Sequence, residues 1–203
     1  MAPEPVSTNA SSTAGSADPS RRQRSDAQRN VFALVQAAKA VFADCGVDAP
    51  AKEITDLAGV GVGTLYRHFP RRSDLIVAVM RHEIDDCIDA AAVLGTALSP
   101  WDALLEWTER FTEFVATKRG LASALHSGDP AYDGLPQRLL NQLEPALHTL
   151  LARAVAGGCV REDVTAREIL TTIALICQPV PGQQLGFNQR MTRVFMQGLG
   201  HVG

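Results

Sequence analysis

Between Val62 and Phe69 the chain reads V-G-T-L-Y-R-H-F, and Leu65 and Phe69, four residues apart, suit burial of one face of a short helix. The other face then carries Val62, Gly63, Thr64, Tyr66, Arg67 and His68. These are residue types that read a nucleic-acid duplex. Thr64 and Tyr66 offer hydroxyls to phosphate oxygens, Arg67 can donate a parallel pair of hydrogen bonds to a guanine edge, and Gly63 lets the backbone come close. Pro70 stops the helix, Arg71 and Arg72 follow where a strand flanking the groove would pass, and Ser73 is placed to cap the next helix.

Holding such a face against DNA requires neighbouring helices, and the surrounding sequence supplies them. Residues 52–58 put Ile54, Leu57 and Ala58 at helical spacing behind Pro50, whose missing N–H costs nothing at a helix start. Gly59 then offers the left-handed backbone of a helix end, so two short helices are joined by a tight turn, as in a helix-turn-helix. Residues 26–45 carry Val31, Leu34, Val35, Ala38, Val41 and Phe42 as a stripe that would lie across both. From Asp74 to about Leu94, Ile76, Met80, Ile84, Cys87, Ile88 and Ala91 make a long connecting helix that Gly95 is expected to end.

The run Ala58 to Leu75, A-G-V-G-V-G-T-L-Y-R-H-F-P-R-R-S-D-L, resembles the helix-turn-helix signature of the TetR (tetracycline-repressor-like) transcriptional regulators, A-G-V-S-x-G-T-L-Y-x-[YH]-F. It departs at Gly61, where the family usually has a capping serine, and at Ala49, where it usually has a capping threonine; the losses cost about 0.5–2 kcal/mol of capping at most, or a few tenths for glycine. Arg72 stands where the family has a lysine, which implies a retained phosphate contact. The resemblance implies a homodimer on a palindromic double-stranded DNA operator, released by a small-molecule effector, and a regulator rather than an enzyme.

Composition agrees. The chain has 203 residues, 46% hydrophobic and 20% charged, enough for a full core, and its net charge of −3 is unevenly spread. Residues 21–82 hold ten Lys/Arg against six Asp/Glu, net +4, whereas 83–203 hold nine against fourteen, net −5. Basic charge therefore collects where DNA would lie. Cys45, Cys87, Cys159 and Cys177 form no C-x-x-C pair and no histidine stands at zinc-ligand spacing, so neither metal nor other cofactor is expected. With no signal-peptide pattern and no long apolar run, no membrane association is expected and a cytoplasmic location is.

The chain is expected to be all-α, since no run alternates with period two. Residues 1–20 read as a disordered tail, 21–73 as an N-terminal three-helix DNA-binding domain, and 74–203 as a C-terminal helical ligand-binding and dimerisation domain. Arg21, Arg22 and Arg24, just before the capping box of Ser25 and Gln28, suit an arm entering the minor groove or equally a solvated tail.

In the body, Ser99-Pro100-Trp101-Asp102 and Thr165 with Glu168 mark helix starts, a short helix is expected at 121–126, Pro145 should kink a leucine helix over 135–156, and a last helix covers about 183–199. Ile169, Ile173 and Ile176 on one helix, with Phe187, Met191, Val194 and Phe195 on the next, are where TetR-like proteins pair as a four-helix bundle; the alternative is packing within one chain. Trp107, Phe111 and Phe114 with His126, His148 and Cys177 could line an effector pocket or be ordinary core and surface. His82-Glu83 lacks the second histidine of a zinc protease motif, so no catalytic constellation is present. A helical ligand carrier or thiol sensor without DNA function is the competing reading.

Overall fold

A computed structural model describes residues 19–117, 124, 127–178 and 185–200. Among these residues eight α-helices follow one another: α1 (Pro19–Cys45), α2 (Ala51–Ala58), α3 (Val62–His68), α4 (Arg72–Ala97), α5 (Pro100–Thr117), α6 (Leu135–Ala156), α7 (Ala166–Ile176) and α8 (Leu185–Leu199), with a 3-10 turn at Pro130–Tyr132. Among the described residues there is no strand, only one isolated bridge between Val160 and Gly200. The tail 1–18, the expected short helix at 121–126 apart from Ala124, and His126 lie outside the described residues.

Helix α1 begins at Pro19 rather than Asp26, so Arg21, Arg22 and Arg24 fall on its first turns; their side chains are outside the described set. Arginine and glutamine are good helix formers, and propensity here carries the helix through the capping box at Ser25. Across α1 lie α2 and α3. The buried face of α2 is Ile54 and Thr55, the Thr55 hydroxyl donating to the Lys52 carbonyl at 3.0 Å, while Leu57 is 61% exposed. Gly59, at φ 68°, closes α2 in the left-handed region.

Helix α4 differs at both ends from the sequence expectation. Its N-cap position is Arg71, not Ser73: the Asp74 carboxylate accepts from the Arg71 backbone N–H at 3.0 Å and from its guanidinium at 2.8 Å, and Ser73 is buried in the first turn. Gly95 does not end the helix, which continues to Ala97. A Cβ at Gly95 would stand 3.1 Å from Arg153 Nη1 and 3.3 Å from Leu150 Cδ2, so this glycine admits α6.

The body is built around α5, which packs against α4, α6, α7 and α8. Its start is the expected cap, the Asp102 N–H donating to Ser99 Oγ at 3.2 Å. Trp107 is fully buried, donates from Nε1 to the Cys87 carbonyl at 2.7 Å and stacks on Phe111 with centroids 5.8 Å apart. Thr165 and Glu168 exchange hydrogen bonds at the start of α7 as a capping box. No helix among the described residues is long and apolar enough to cross a membrane, and no cluster of His, Cys, Asp or Glu there could hold a metal ion.

Candidate nucleic-acid interface

Seven residues make too short a helix to stand alone, so α3 takes its position from what it buries. Leu65, 4% exposed, and Phe69, which ends the helix at 8%, anchor it. Gly61 occupies the cap position in extended geometry with no side-chain hydrogen bond, as the missing serine requires, and the Thr64 N–H turns to the Gly61 carbonyl at 2.8 Å. Opposite the anchors, Val62, Gly63, Tyr66 and Arg67 form one exposed face, with Val62 41% and Tyr66 52% accessible and nothing within 4 Å of the place a Gly63 Cβ would take. Thr64 is half-buried at its edge.

Three of the proposed contact residues are placed differently. His68 turns to the back of α3, where its Nε2 is enclosed without a partner in a groove shared with Phe32, Phe69 and His82. Arg71 is exposed but paired with Asp74, whose carboxyl it holds below the usual carboxylate range. Arg72 is half-buried and points into the protein: Nε donates to the Val47 carbonyl at 2.7 Å, Nη2 to that of Ala49, and the guanidinium sits 5.1 Å from the Phe42 ring centroid.

Two supports were not legible in the sequence. Lys39 of α1 bonds Glu83 at 3.1 Å and Asp86 at 3.2 Å on α4, tying the DNA-end helices to the connecting helix. The turn at Pro130–Tyr132 comes back from the body to the start of α4, burying Tyr132 and placing Ala131 in the groove beside His68 and Phe69. Its local signal, Asp129 capping a proline-led turn by accepting from the Ala131 N–H at 2.8 Å, is readable; its docking place is not.

The aromatic residues offered for a pocket are core. Trp107, Phe111 and Phe114 are 0, 2 and 8% exposed, and Cys177 is buried with its thiol toward the Thr112 carbonyl. His148 sits on the outer face of α6, in solvent. Ile169 and Ile173 are fully buried within their own chain, because α7 turns that stripe onto α6 and α5. What the last two helices leave open is Leu175, 65% exposed, and Val194, 55%, with Ile176, Phe187, Met191 and Phe195 half-buried.

Burial pushes the Cys87 thiol up to about 12, with the Glu83 and Asp86 charges adding to it, and pushes Cys177 up to about 11. Both stay protonated at neutral pH, the form in which a thiol reacts slowly. An alkylating reagent at pH 8 is therefore expected to modify exposed Cys45 while sparing Cys87 and Cys177 until denaturant is added, as peptide mass mapping would show. Because the fold favours the neutral thiols, unfolded cysteines ionise first, so stability present below pH 9 is lost as pH rises from there toward 11 and 12.

Two family models cover most of this architecture. Residues 34–79 match the bacterial regulatory proteins of the tetR family, and residues 99–201 match the C-terminal domain of SbtR-like transcriptional regulators. The chain belongs to the TetR family of transcriptional regulators. It is 33% identical to the TetR regulator SCO0520 of Streptomyces coelicolor, over 85% of this chain and 99% of that one, with a TM-score of 0.68. A TetR regulatory protein of Mycobacterium vanbaalenii is 31% identical over 88% and 99%, with a TM-score of 0.65. Among curated proteins, the transcriptional repressor KstR of Mycobacterium tuberculosis is 29% identical over 134 residues, 64% of this chain. That match spans only 60% of KstR's own length. The family is one of DNA-binding regulators, not enzymes.

Proposed function

We propose that this regulator binds a palindromic operator as a homodimer and that a small-molecule effector held by the body releases it. The observation that carries the reading is the exposed face Val62, Gly63, Tyr66 and Arg67, fixed by the Leu65 and Phe69 anchors and bearing donors for both phosphate and base edges. So short a helix touches few base pairs, and two-fold pairing supplies the second half-site. The apolar surface open on α7 and α8 supports that pairing. Among the described residues of α5 and α8, Thr108, Thr112, Asn188 and Thr192 are buried polar groups, and the Thr112 and Thr192 hydroxyls meet at 3.0 Å.

Selection of bound duplexes from a random pool tests the reading, with recovery of a palindrome as the expected result and recovery of no preferred sequence as the one that overturns it. On the selected duplex Arg67→Ala is expected to cost about 1–3 kcal/mol and to relax selectivity, whereas Tyr66→Phe weakens binding to all duplexes alike. Titrations against the selected and a scrambled duplex separate the two; an equal loss on both for Arg67→Ala would move that residue to the phosphate class.

A further inference from the structure

We propose that Arg72 is a positioning residue for DNA recognition and not a phosphate ligand: its guanidinium clamps the first turn of α4 to the turn between α1 and α2 and so sets how the two short helices sit on the long ones. This rests on the DNA-binding reading above.

The local chemistry leaves that turn in need of a donor. Its backbone hydrogen bonds run from Gly46 N–H to the Phe42 carbonyl and from Ala49 N–H to the Gly46 carbonyl, and Pro50 has no N–H to give. The carbonyls of Val47 and Ala49, on residues each 4% exposed, accept from Arg72. The planar fork of a guanidinium reaches both at once while its face lies over Phe42, itself 1% exposed. Arg71, next in sequence, has 62% of its side chain exposed and is held by Asp74 on its own helix. Of the two arginines, Arg72 is the one turned inward.

The position of this clamp gives it leverage. Helices α2 and α3 have eight and seven residues, so their angle to the rest depends on the turns that hold them. Ala49 and Pro50 immediately precede α2, and Tyr66 on α3 and Tyr132 of the body's 3-10 turn lie near enough to feel the Arg72 charge. Helix α4 continues from Arg72 into the body. Arg72 therefore stands where the connecting helix grips the reading head.

Lysine discriminates the two roles, because it keeps the charge but has neither the fork nor the stacking face. As a clamp, Arg72→Lys and Arg72→Met both lose roughly tenfold in operator affinity per active protein, and the slope of log affinity against log salt stays at the wild-type value. Amides of residues 47–49 and 51–53 exchange faster with deuterated water in both free variants, a readout independent of DNA. As a phosphate ligand, Arg72→Lys would keep affinity and slope, Arg72→Met would lower the slope by about one, and exchange would be unchanged; that pattern overturns the assignment of Arg72 and leaves the regulator reading intact. Wild-type protein with no salt-dependent affinity for any duplex overturns both. Counting active sites by stoichiometric titration excludes simple unfolding, and the lysine variant carries the test if the methionine variant does not fold.

Discussion

Replacing both Leu175 and Val194 with glutamate is expected to halve the mass of the proposed homodimer in solution, from twice the 21.7 kDa chain to one chain, without unfolding it. In a single chain these side chains are 65% and 55% exposed, and a charge at such sites moves stability by only about 0.5 kcal/mol. Across a two-fold interface each carboxylate would meet its own symmetry mate with no cation provided, and burying unpaired like charges is strongly unfavourable. Loss of the dimer removes the second half-site, so operator affinity falls on the order of 10²–10⁴-fold. Light scattering with circular dichroism reads the outcome. A folded double variant that keeps the dimer mass would place the interface on another face. Phe195 is a poorer probe than its place in the stripe implies, because it is half-buried in its own chain and a glutamate there also disturbs the fold.

Trp107→Ala should be the most damaging single change in the body. Its indole is fully buried, stacked on Phe111 and hydrogen-bonded to the Cys87 carbonyl at 2.7 Å, which joins α5 to α4. Truncation of such a tryptophan costs about 3–5 kcal/mol through lost transfer energy and the cavity left behind. For a chain of this size that is a fall in melting temperature of roughly 6–20 °C at fixed protein concentration. Trp107→Phe keeps most of the apolar volume and gives up the hydrogen bond, so its loss is smaller. Were the indole a pocket wall, alanine would change the melting temperature by a degree or two and act chiefly on effector binding; calorimetry on the three proteins distinguishes these outcomes.

Locally determined features were legible in the residues. Caps at Ser99 with Asp102 and at Thr165 with Glu168 join groups three residues apart, and the Leu65 and Phe69 anchors lie within one turn. Such short-range chemistry is nearly independent of the rest of the chain, so those two helix starts, the left-handed end at Gly59 and the exposure of Val62, Gly63, Tyr66 and Arg67 on α3 follow from it. Periodicity also named the apolar stripes. It did not name what covers each stripe, because that depends on contacts between residues far apart in sequence.

Only the tertiary structure turned Ile169 and Ile173 into the chain's own core, left Leu175 outside, and set Thr55 in place of Leu57 against α1. Only it brought Trp107 onto the Cys87 carbonyl, Arg153 against Gly95 and the Pro130–Tyr132 turn back to the start of α4. Arg72 shows the division most sharply. Its residue type and its place after the recognition helix pointed to a phosphate, yet a flexible cation near two unsatisfied carbonyls and a ring goes where its donors are satisfied, and those acceptors lie twenty-three and twenty-five residues back along the chain.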